Sequence, residues 1–152
     1  LPPVNSEGGA GFQRWFGGAD GEYDAVVRDV YAGILVSLSF TNIWCPNTTL
    51  PDPDIDSGTW AFVRGDAVDE MFLMAPFFGL EKSGADSQAG VIIHETSHLS
   101  AVANVVDSDV TGDNNADYGI NNTAQLARVN AYRARRTADN YQYFAEDLAF
   151  GI

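Results

Sequence analysis

The sequence predicts an α+β domain in which helices dominate and the sheet is small. Apolar residues recur at spacings of three and four in several separate segments, which is typical of amphipathic helices. Only two short segments are rich in aromatic and β-branched residues, the composition that strands favour. The length of 152 residues suits one core rather than two, and no internal repeat divides it. We therefore expect a single domain over residues 1–152.

The N-terminal part predicts an irregular segment, then a helix, then a loop. Residues 1–18 are rich in glycine and are expected to be irregular. A helix follows with Asp20 as its N-cap. Its apolar stripe consists of Tyr23, Val26, Val27, Val30, Tyr31, Ile34, Leu35 and Leu38. Residues 42–57 contain three prolines and several aspartates, which predicts a loop.

The middle of the chain predicts the small sheet and a second helix. Thr59–Arg64 and Glu70–Phe78 are short and aromatic, and the turn residues Gly65 and Asp66 separate them, so a hairpin or two strands are expected. A helix is predicted to begin near Ser87 and to end at about Leu99.

The C-terminal part predicts further helices after an acidic stretch at 107–117. The first should place Leu126, Val129 and Tyr132 on one face. The last should cover Asp139–Leu148, with Tyr143, Phe144 and Leu148 facing inward.

The charge balance excludes some partners. The chain has 21 acidic and 8 basic residues and a net charge of −13. Nucleic acid is not an expected partner because phosphate binding needs a basic surface, and anionic membranes are disfavoured for the same reason. No apolar run is long enough to span a membrane; the longest, Met71–Leu80, is interrupted by Pro76. A cationic substrate would be attracted.

Three features bear on secretion. Leu1–Val4 does not resemble a signal peptide, so it could be the end of a processed chain. Two N-x-[ST] triplets, at Asn47 and Asn121, favour the secretory route. Cys45 is the sole cysteine. It cannot form an internal disulfide, so it is either a small buried side chain or a link, covalent or not, to a partner chain.

The strongest motif is His94-Glu95-Thr96-Ser97-His98, which contains both histidines of the chain. Residues four apart share one face of a helix, so both imidazoles can reach one ion, and Glu95 can take a proton from a water held there. This is the H-E-x-x-H signature of zinc peptidases. The structural alternative is a pair of core histidines. Since no histidine remains, the third zinc ligand must be an oxygen from the acidic stretch or from a residue such as Glu146.

Other segments carry a family resemblance. They are Asp86–Gly90, Tyr118-Gly119 with Leu126-Ala127, and Thr137–Glu146. Together with the histidine motif they resemble the deuterolysin and peptidyl-Lys metalloendopeptidase family of fungal zinc peptidases, the aspzincins. The resemblance implies a zincin-like fold, one catalytic zinc ion, secretion and cleavage of peptide or protein substrates. A catalytically impaired zincin-like binding or effector domain is the alternative.

The resemblance also implies residue roles. The third ligand would be Asp113, or else Asn115, with Asp107, Asp109 and Asp117 less favoured. Tyr118 would assist catalysis by donating a hydrogen bond to the oxyanion. Asp139 and the neutral Gln142 would receive a lysine on the carboxyl side of the scissile bond. A protease that cuts before lysine would also be expected to have few lysines itself, and this chain has only Lys82.

Two departures from the family pattern affect these expectations. The segment between His98 and Tyr118 is longer than usual, and its alternating oxygens with Gly112 resemble a calcium loop. A calcium ion in the 107–117 loop is therefore a further expectation, and with it a calcium-stabilised structural role. The resemblance also implies a helix before the Trp15–Gly17 segment, which this sequence does not show, so we expect that it was either lost or cleaved away.

Overall fold

The computed structural model describes residues 6–18, 21–46 and 55–152. Within these residues helices predominate and one small sheet is present, which confirms the predicted α+β class. The helices are α1 (Ser6–Phe16), α2 (Gly21–Ser37), α3 (Gln88–His98), α4 (Ile120–Val129), α5 (Ala131–Ala134) and α6 (Ala138–Phe150). The strands are β1 (Asn42–Trp44), β2 (Ala61–Phe62) and β3 (Glu70–Leu73), and a 3₁₀ helix covers Ala75–Gly79.

The main core lies where α1, α2 and α6 meet. Its buried members are Phe12, Trp15, Phe16, Val27, Val30, Ile34, Val105, Ala138, Tyr141, Tyr143 and Phe144. The Trp15 ring stacks on Tyr143 at 5.5 Å between centroids, and its indole N–H donates to Asp147 at 2.8 Å. Because aromatic pairs contribute beyond their buried area, this contact fixes α1 against α6.

The N-terminal segment differs from the expectation. Residues 1–18 were expected to be irregular, but Ser6–Phe16 forms α1. Phe12, Trp15 and Phe16 occupy one face of this helix and are buried, so tertiary packing overrides the poor helix propensity of its glycines. The helix ends at Gly17, whose φ of +76° is in the left-handed region.

Helix α2 buries a narrower stripe than predicted. Val27, Val30 and Ile34 are buried as expected. Val26, Leu35 and Leu38 are exposed, Leu35 by 72%. The predicted N-cap, Asp20, and the side chain of Tyr23 lie outside the part of the chain that the structure describes.

The sheet has the strand order β1-β3-β2. The predicted hairpin is present because β2 pairs with β3 in the antiparallel sense, and the rings of Phe62 and Phe72 stack at 4.8 Å. Strand β1 pairs with β3 in parallel and was not predicted, since it lies in the expected loop 42–57. The predicted strand Glu70–Phe78 is too long, because a 3₁₀ helix with Pro76 in its first turn begins at Ala75, soon after β3.

The later helices agree with the predictions in part. Helix α3 starts after Ser87, whose hydroxyl accepts from the N–H of Gly90, close to the predicted boundary. Helix α4 buries Leu126 but leaves Val129 exposed, because the helix stops at Asn130. Tyr132, on the separate helix α5, is exposed as well, so the predicted common face is wrong in part. In α6, Tyr143 and Phe144 are buried as predicted, whereas Leu148 is exposed.

Two remaining expectations concern membranes and cysteine. No helix among the described residues is both long and apolar enough to cross a membrane. Cys45 is exposed and unpaired, so it is not the small buried side chain that was one of its two interpretations.

Candidate metal centre

The two histidines project from the last turns of α3. His94 and His98 are one helical turn apart, and their ring centroids are 4.9 Å apart. His94 and Glu95 are buried, and His98 is partly buried. The helix therefore brings both imidazoles and the carboxyl group of Glu95 into one protected region.

A carboxylate reaches the imidazoles from the segment after α3. The chain turns at Leu99–Asn104 and returns as an extended stretch, in which Val106 forms a parallel bridge with Thr137. The next residue, Asp107, places its Oδ1 3.1 Å from Nε2 of His94 and 3.3 Å from Nε2 of His98. The structure thus gathers His94, His98 and Asp107 as one potential ligand set.

This set fits a zinc ion. The three ligand atoms lie within 4.8 Å of one another, and zinc in catalytic sites takes three nitrogen or oxygen ligands of this kind. The outer nitrogen of each ring faces an oxygen. Nδ1 of His98 lies 2.7 Å from the carbonyl oxygen of Val105, and Nδ1 of His94 lies 2.9 Å from Oδ1 of Asp139. Such partners place the proton on Nδ1 and leave Nε2 available for a metal.

Asp139 lies behind His94. Its Oδ2 accepts hydrogen bonds from the N–H of Gly119 at 2.9 Å and from the hydroxyl of Thr123 at 3.3 Å. The side chain is buried, and both of its oxygens are engaged within the protein. Asp139 therefore lies directly behind the His94 ring, and both of its oxygens are close to groups of the protein. It does not cap α6 either, because Thr137 occupies the N-cap position.

The structure does not place Asp113 or Asn115, the expected third ligands, in the cleft that contains the imidazoles. Both are exposed on the long loop, where Oδ1 of Asp113 accepts the N–H of Asn115 at 2.9 Å. Among the described residues, Asp113 belongs to no group of His, Cys, Asp or Glu side chains that could share a metal ion. The resemblance favours Asp113 and Asn115 because they lie a few residues before Tyr118, a spacing that the longer loop of this chain alters. Counting forward shows Asp107 only nine residues after His98, a separation that one tight turn can close.

The calcium site expected in this loop is not supported. Asp109 accepts the N–H groups of Gly112, Asp113 and Asn114, and Asp117 accepts those of Val110 and Thr111. These carboxylates stabilise the loop itself and do not converge on a common point that could hold a cation. Glu146, the other candidate oxygen ligand, is buried at the opposite end of α3 and accepts hydrogen bonds from Asp86 and Ser87.

Electrostatics in the site follow from burial and the close pairs. Burial lowers the pKa of His94, but the carboxylates of Asp107 and Asp139 outweigh it and raise that pKa to about 10. Burial would raise the pKa of Asp107, but the two imidazoles hold it well below its ordinary range. Glu95 has a raised pKa, chiefly because it is buried, although both histidines oppose that shift.

Tyr118 stands at the edge of the same site. Its hydroxyl donates to Oδ2 of Asp107 at 3.0 Å, and its ring lies 6.1 Å from that of His94. More than half of the side chain is exposed. Burial of the remainder, together with the charge of Asp107, raises its pKa above the ordinary value, so the hydroxyl keeps its proton. Tyr118 is therefore a hydrogen-bond donor placed beside the ligand set.

These groups line a cleft of about 790 Å³. One wall comes from β2 and its flanks, and it includes Trp60, Phe62 and Val63. Val63 also supplies a backbone hydrogen bond to Glu95. The volume is in the range of ordinary ligand pockets and leaves room for a peptide segment.

Comparison with known proteins gives a consistent result. The sequence model of the aspzincins, described as lysine-specific metallo-endopeptidase, matches residues 4–146. A peptidyl-Lys metalloendopeptidase of Pleurotus ostreatus is 35% identical over 92 residues, which are 60% of this chain and 50% of that protein. An extracellular protease of Aeromonas hydrophila is 35% identical over 88 residues, 58% of this chain and 23% of that protein. The matches thus span half or less of these relatives.

A solved structure shares the fold. The zinc peptidase from Grifola frondosa superposes with a TM-score of 0.75 at 26% sequence identity. The match covers 91% of this chain and 77% of that one.

Proposed function

The chain belongs to the aspzincins, the lysine-specific metallo-endopeptidase family, and from that premise we propose that it is a secreted zinc endopeptidase that prefers lysine after the scissile bond. The observation that carries the proposal is the convergence of His94, His98 and Asp107 beside Glu95 in one cleft. A module that only binds would not need a buried proton acceptor such as Glu95 beside the ligands.

His94, His98 and Asp107 are the residues that would hold the ion. When bound, zinc supplies a Lewis acid that polarises a peptide carbonyl and makes water more acidic. The protein contributes orientation, because Val105 and Asp139 fix the two imidazole rings from behind.

Glu95 is proposed as the general base and acid. Its burial raises the pKa of the carboxyl group above its ordinary value, which brings it closer to the working pH and improves proton transfer. Glu95 would accept a proton from the attacking water and return it to the leaving amine. The same residue within the H-E-x-x-H segment was predicted for this role.

Tyr118 is proposed as the donor to the developing oxyanion. In the structure its hydroxyl donates to Asp107, so it must turn from that carboxylate toward the substrate as the negative charge appears on the carbonyl oxygen. The exposure of the ring leaves space for this movement.

Four observations support the finer parts of the proposal. The relatives from Pleurotus ostreatus and Aeromonas hydrophila are named for lysine and for an extracellular location, respectively. The net charge of −13 attracts a basic peptide. The single lysine, Lys82, leaves one place at which the enzyme could cut itself before lysine. Of the two glycosylation triplets, Asn121 is exposed, and Asn47 lies outside the described residues.

The proposal is tested by measuring zinc content and casein cleavage on the purified chain. We expect about one zinc per chain, and we expect Glu95→Gln to retain it while losing cleavage by roughly a thousandfold. Glu81→Gln, which removes the same charge from an exposed turn, is the matched control and should cleave normally. Zinc binding without any cleavage by the unmodified chain would reject the peptidase and favour a zincin-like binding domain.

A further inference from the structure

We propose that Asp86, rather than Asp139, is the carboxylate that selects a basic side chain in the substrate; this inference rests on the proposed peptidase function. Asp86 lines the same cleft as the ligand set and lies just before the N-cap of α3. It is therefore on the wall that continues from His94 toward the beginning of that helix.

The backbone of Asp86 is held in an unusual conformation. Its φ of +54° lies in the left-handed region, which few residues other than glycine adopt. Its N–H donates to Oε2 of Glu146 at 3.2 Å, and the next residue, Ser87, donates to Oε1 of the same carboxylate at 2.8 Å. Strain held by a buried partner in this way is common at ligand sites. The hydrogen bonds to Glu146 thus fix the backbone from which the side chain of Asp86 projects.

The charge of Asp86 is not neutralised within the protein. Its Oδ1 accepts hydrogen bonds from the hydroxyl of Tyr143 at 2.6 Å and from the amide of Gln142 at 3.2 Å, and both donors are uncharged. In the described ranges, Oδ2 has no hydrogen bond, and no cationic group forms an ion pair with Asp86. A carboxylate oriented by neutral donors in a cleft is suited to a cation that comes from outside.

The contrast with Asp139 decides the assignment. The resemblance to the family assigned lysine recognition to Asp139 with Gln142. Asp139, however, is buried, pairs with the His94 ring at 2.9 Å from Nδ1, and accepts two hydrogen bonds through its Oδ2, so both of its oxygens already lie against protein groups. Gln142 is neutral, and its amide points at Asp86. The remaining acid on this part of the cleft wall is Asp86.

The spacing suits a long basic side chain. Helix α3 carries Val91 on the cleft wall between Asp86 and His94 in the sequence. At 1.5 Å per residue, Ser87 and His94 are separated by roughly 10 Å along the helix axis. A lysine whose backbone lies at the metal centre could lay its apolar stem along Val91 and place its ammonium group near Asp86.

The test compares two peptides that differ only in lysine or norleucine after the scissile bond. The zinc-loaded full chain is assayed with Asp86→Asn, Asp139→Asn and the control Asp66→Asn, which removes one charge from an exposed turn. Asparagine tolerates the left-handed conformation, so Asp86→Asn keeps the backbone and the acceptor oxygen. We expect Asp86→Asn to lower the ratio of kcat/KM for lysine over norleucine by roughly tenfold or more, because a charged hydrogen bond is lost.

Asp139→Asn should behave differently. We expect it to lower kcat for both peptides by a similar factor, about 10- to 100-fold, because it supports a ligand to the metal. Asp66→Asn should leave the ratio unchanged. If Asp86→Asn leaves the ratio unchanged, or if Asp139→Asn alone abolishes the preference, the assignment of Asp86 is overturned.

A binding measurement separates this result from the peptidase proposal. The two peptides are titrated by calorimetry into zinc-loaded Glu95→Gln, with and without Asp86→Asn. A lysine preference in binding that depends on Asp86 supports the assignment even if the unmodified chain cleaves neither peptide, in which case only the peptidase function fails. Equal binding of both peptides to Glu95→Gln overturns the assignment.

Discussion

The two ends of α3 are built in a similar way but do different work. At the first turn, the buried carboxylate of Glu146 reaches across from α6 and accepts hydrogen bonds from Asp86 and Ser87. At the last turn, the carboxylate of Asp107 reaches across from the following segment to the two imidazoles. Backbone amides are permanent donors, whereas imidazole nitrogens can exchange a proton for a metal ion. The carboxylate of Glu146 at the first end therefore has a structural role, and the carboxylate of Asp107 at the second end has a chemical one.

The largest effect is expected from a substitution at the end of α3 where Asp107 meets the imidazoles. We expect Asp107→Ala to reduce zinc occupancy and to lower kcat/KM by at least about a thousandfold, or roughly 4 kcal/mol, because the only carboxylate in the ligand set is removed. Peptide cleavage and metal analysis measure this effect.

Asp113→Ala is the matched control for Asp107→Ala. Asp113 is exposed and contacts only its own loop, so we expect normal zinc content and activity. A reversed result, with Asp113→Ala inactive and Asp107→Ala active, would return the third ligand to the loop position that the sequence favoured.

The structural end should respond in stability rather than in metal content. Glu146→Ala leaves the N–H groups of Asp86 and Ser87 and the hydroxyl of Ser87 without their acceptor. We expect the free energy of unfolding to fall by about 3 kcal/mol, since each unsatisfied buried donor costs about 1–3 kcal/mol. Urea unfolding measures the loss. Glu146→Gln, which keeps one acceptor oxygen, should lose less, and zinc content should be normal in both.

A smaller effect is expected from Gly90→Ala. A Cβ at Gly90 would lie 1.9 Å from Oε1 of Glu146, so the carboxylate or the helix must move, at a cost of about 2 kcal/mol. The same substitution in a Glu146→Ala background should cost much less, because only the contact with Cγ of Gln142 at 3.0 Å remains and alanine favours the helix by about 1 kcal/mol. Additive losses in the double-mutant cycle would show that Glu146 does not explain the glycine.

The smallest effect is a dependence on pH. Burial raises the pKa of Glu146 above its ordinary value, although the hydrogen bonds from Ser87 and Asp86 oppose the shift. The folded state therefore binds the proton more tightly than the unfolded state, so this group stabilises the fold at low pH and that contribution is lost as pH rises through its folded pKa. The stability of the wild type relative to Glu146→Gln should thus fall as pH rises above about 4. A rise would contradict the assigned direction.

The same contrast explains what the sequence could predict. Helix α3, with both histidines on one face, follows from local spacing, and so do the inward residues Tyr143 and Phe144 of α6. Asp107 could not be identified in this way, because its position depends on a turn after α3 and on the bridge between Val106 and Thr137. Helix α1 was missed for a related reason, since its glycine-rich sequence forms a helix only against the aromatic residues of α6.

Strand β1 and the role of Asp139 depend on partners that are distant in the sequence. The three residues of β1 form a strand because they pair with β3, with Asn42 opposite Glu70. Asp139 has the local pattern of a residue at the start of a helix, and only the folded chain places it against His94. The spacing of residues within one helix can thus be predicted from the sequence, whereas contacts between residues that are distant in the sequence cannot.

The long loop between Asp107 and Gly119 is held in place at both of its ends. The bridge between Val106 and Thr137 fixes the beginning of the loop, and the hydrogen bond from the N–H of Gly119 to Asp139 fixes its end. Because the entropy of closing a loop grows only slowly with its length, residues can be gained or lost between these anchors at little cost to the rest of the molecule. The length and sequence of this loop can therefore change during evolution without moving the ligand set or Glu95.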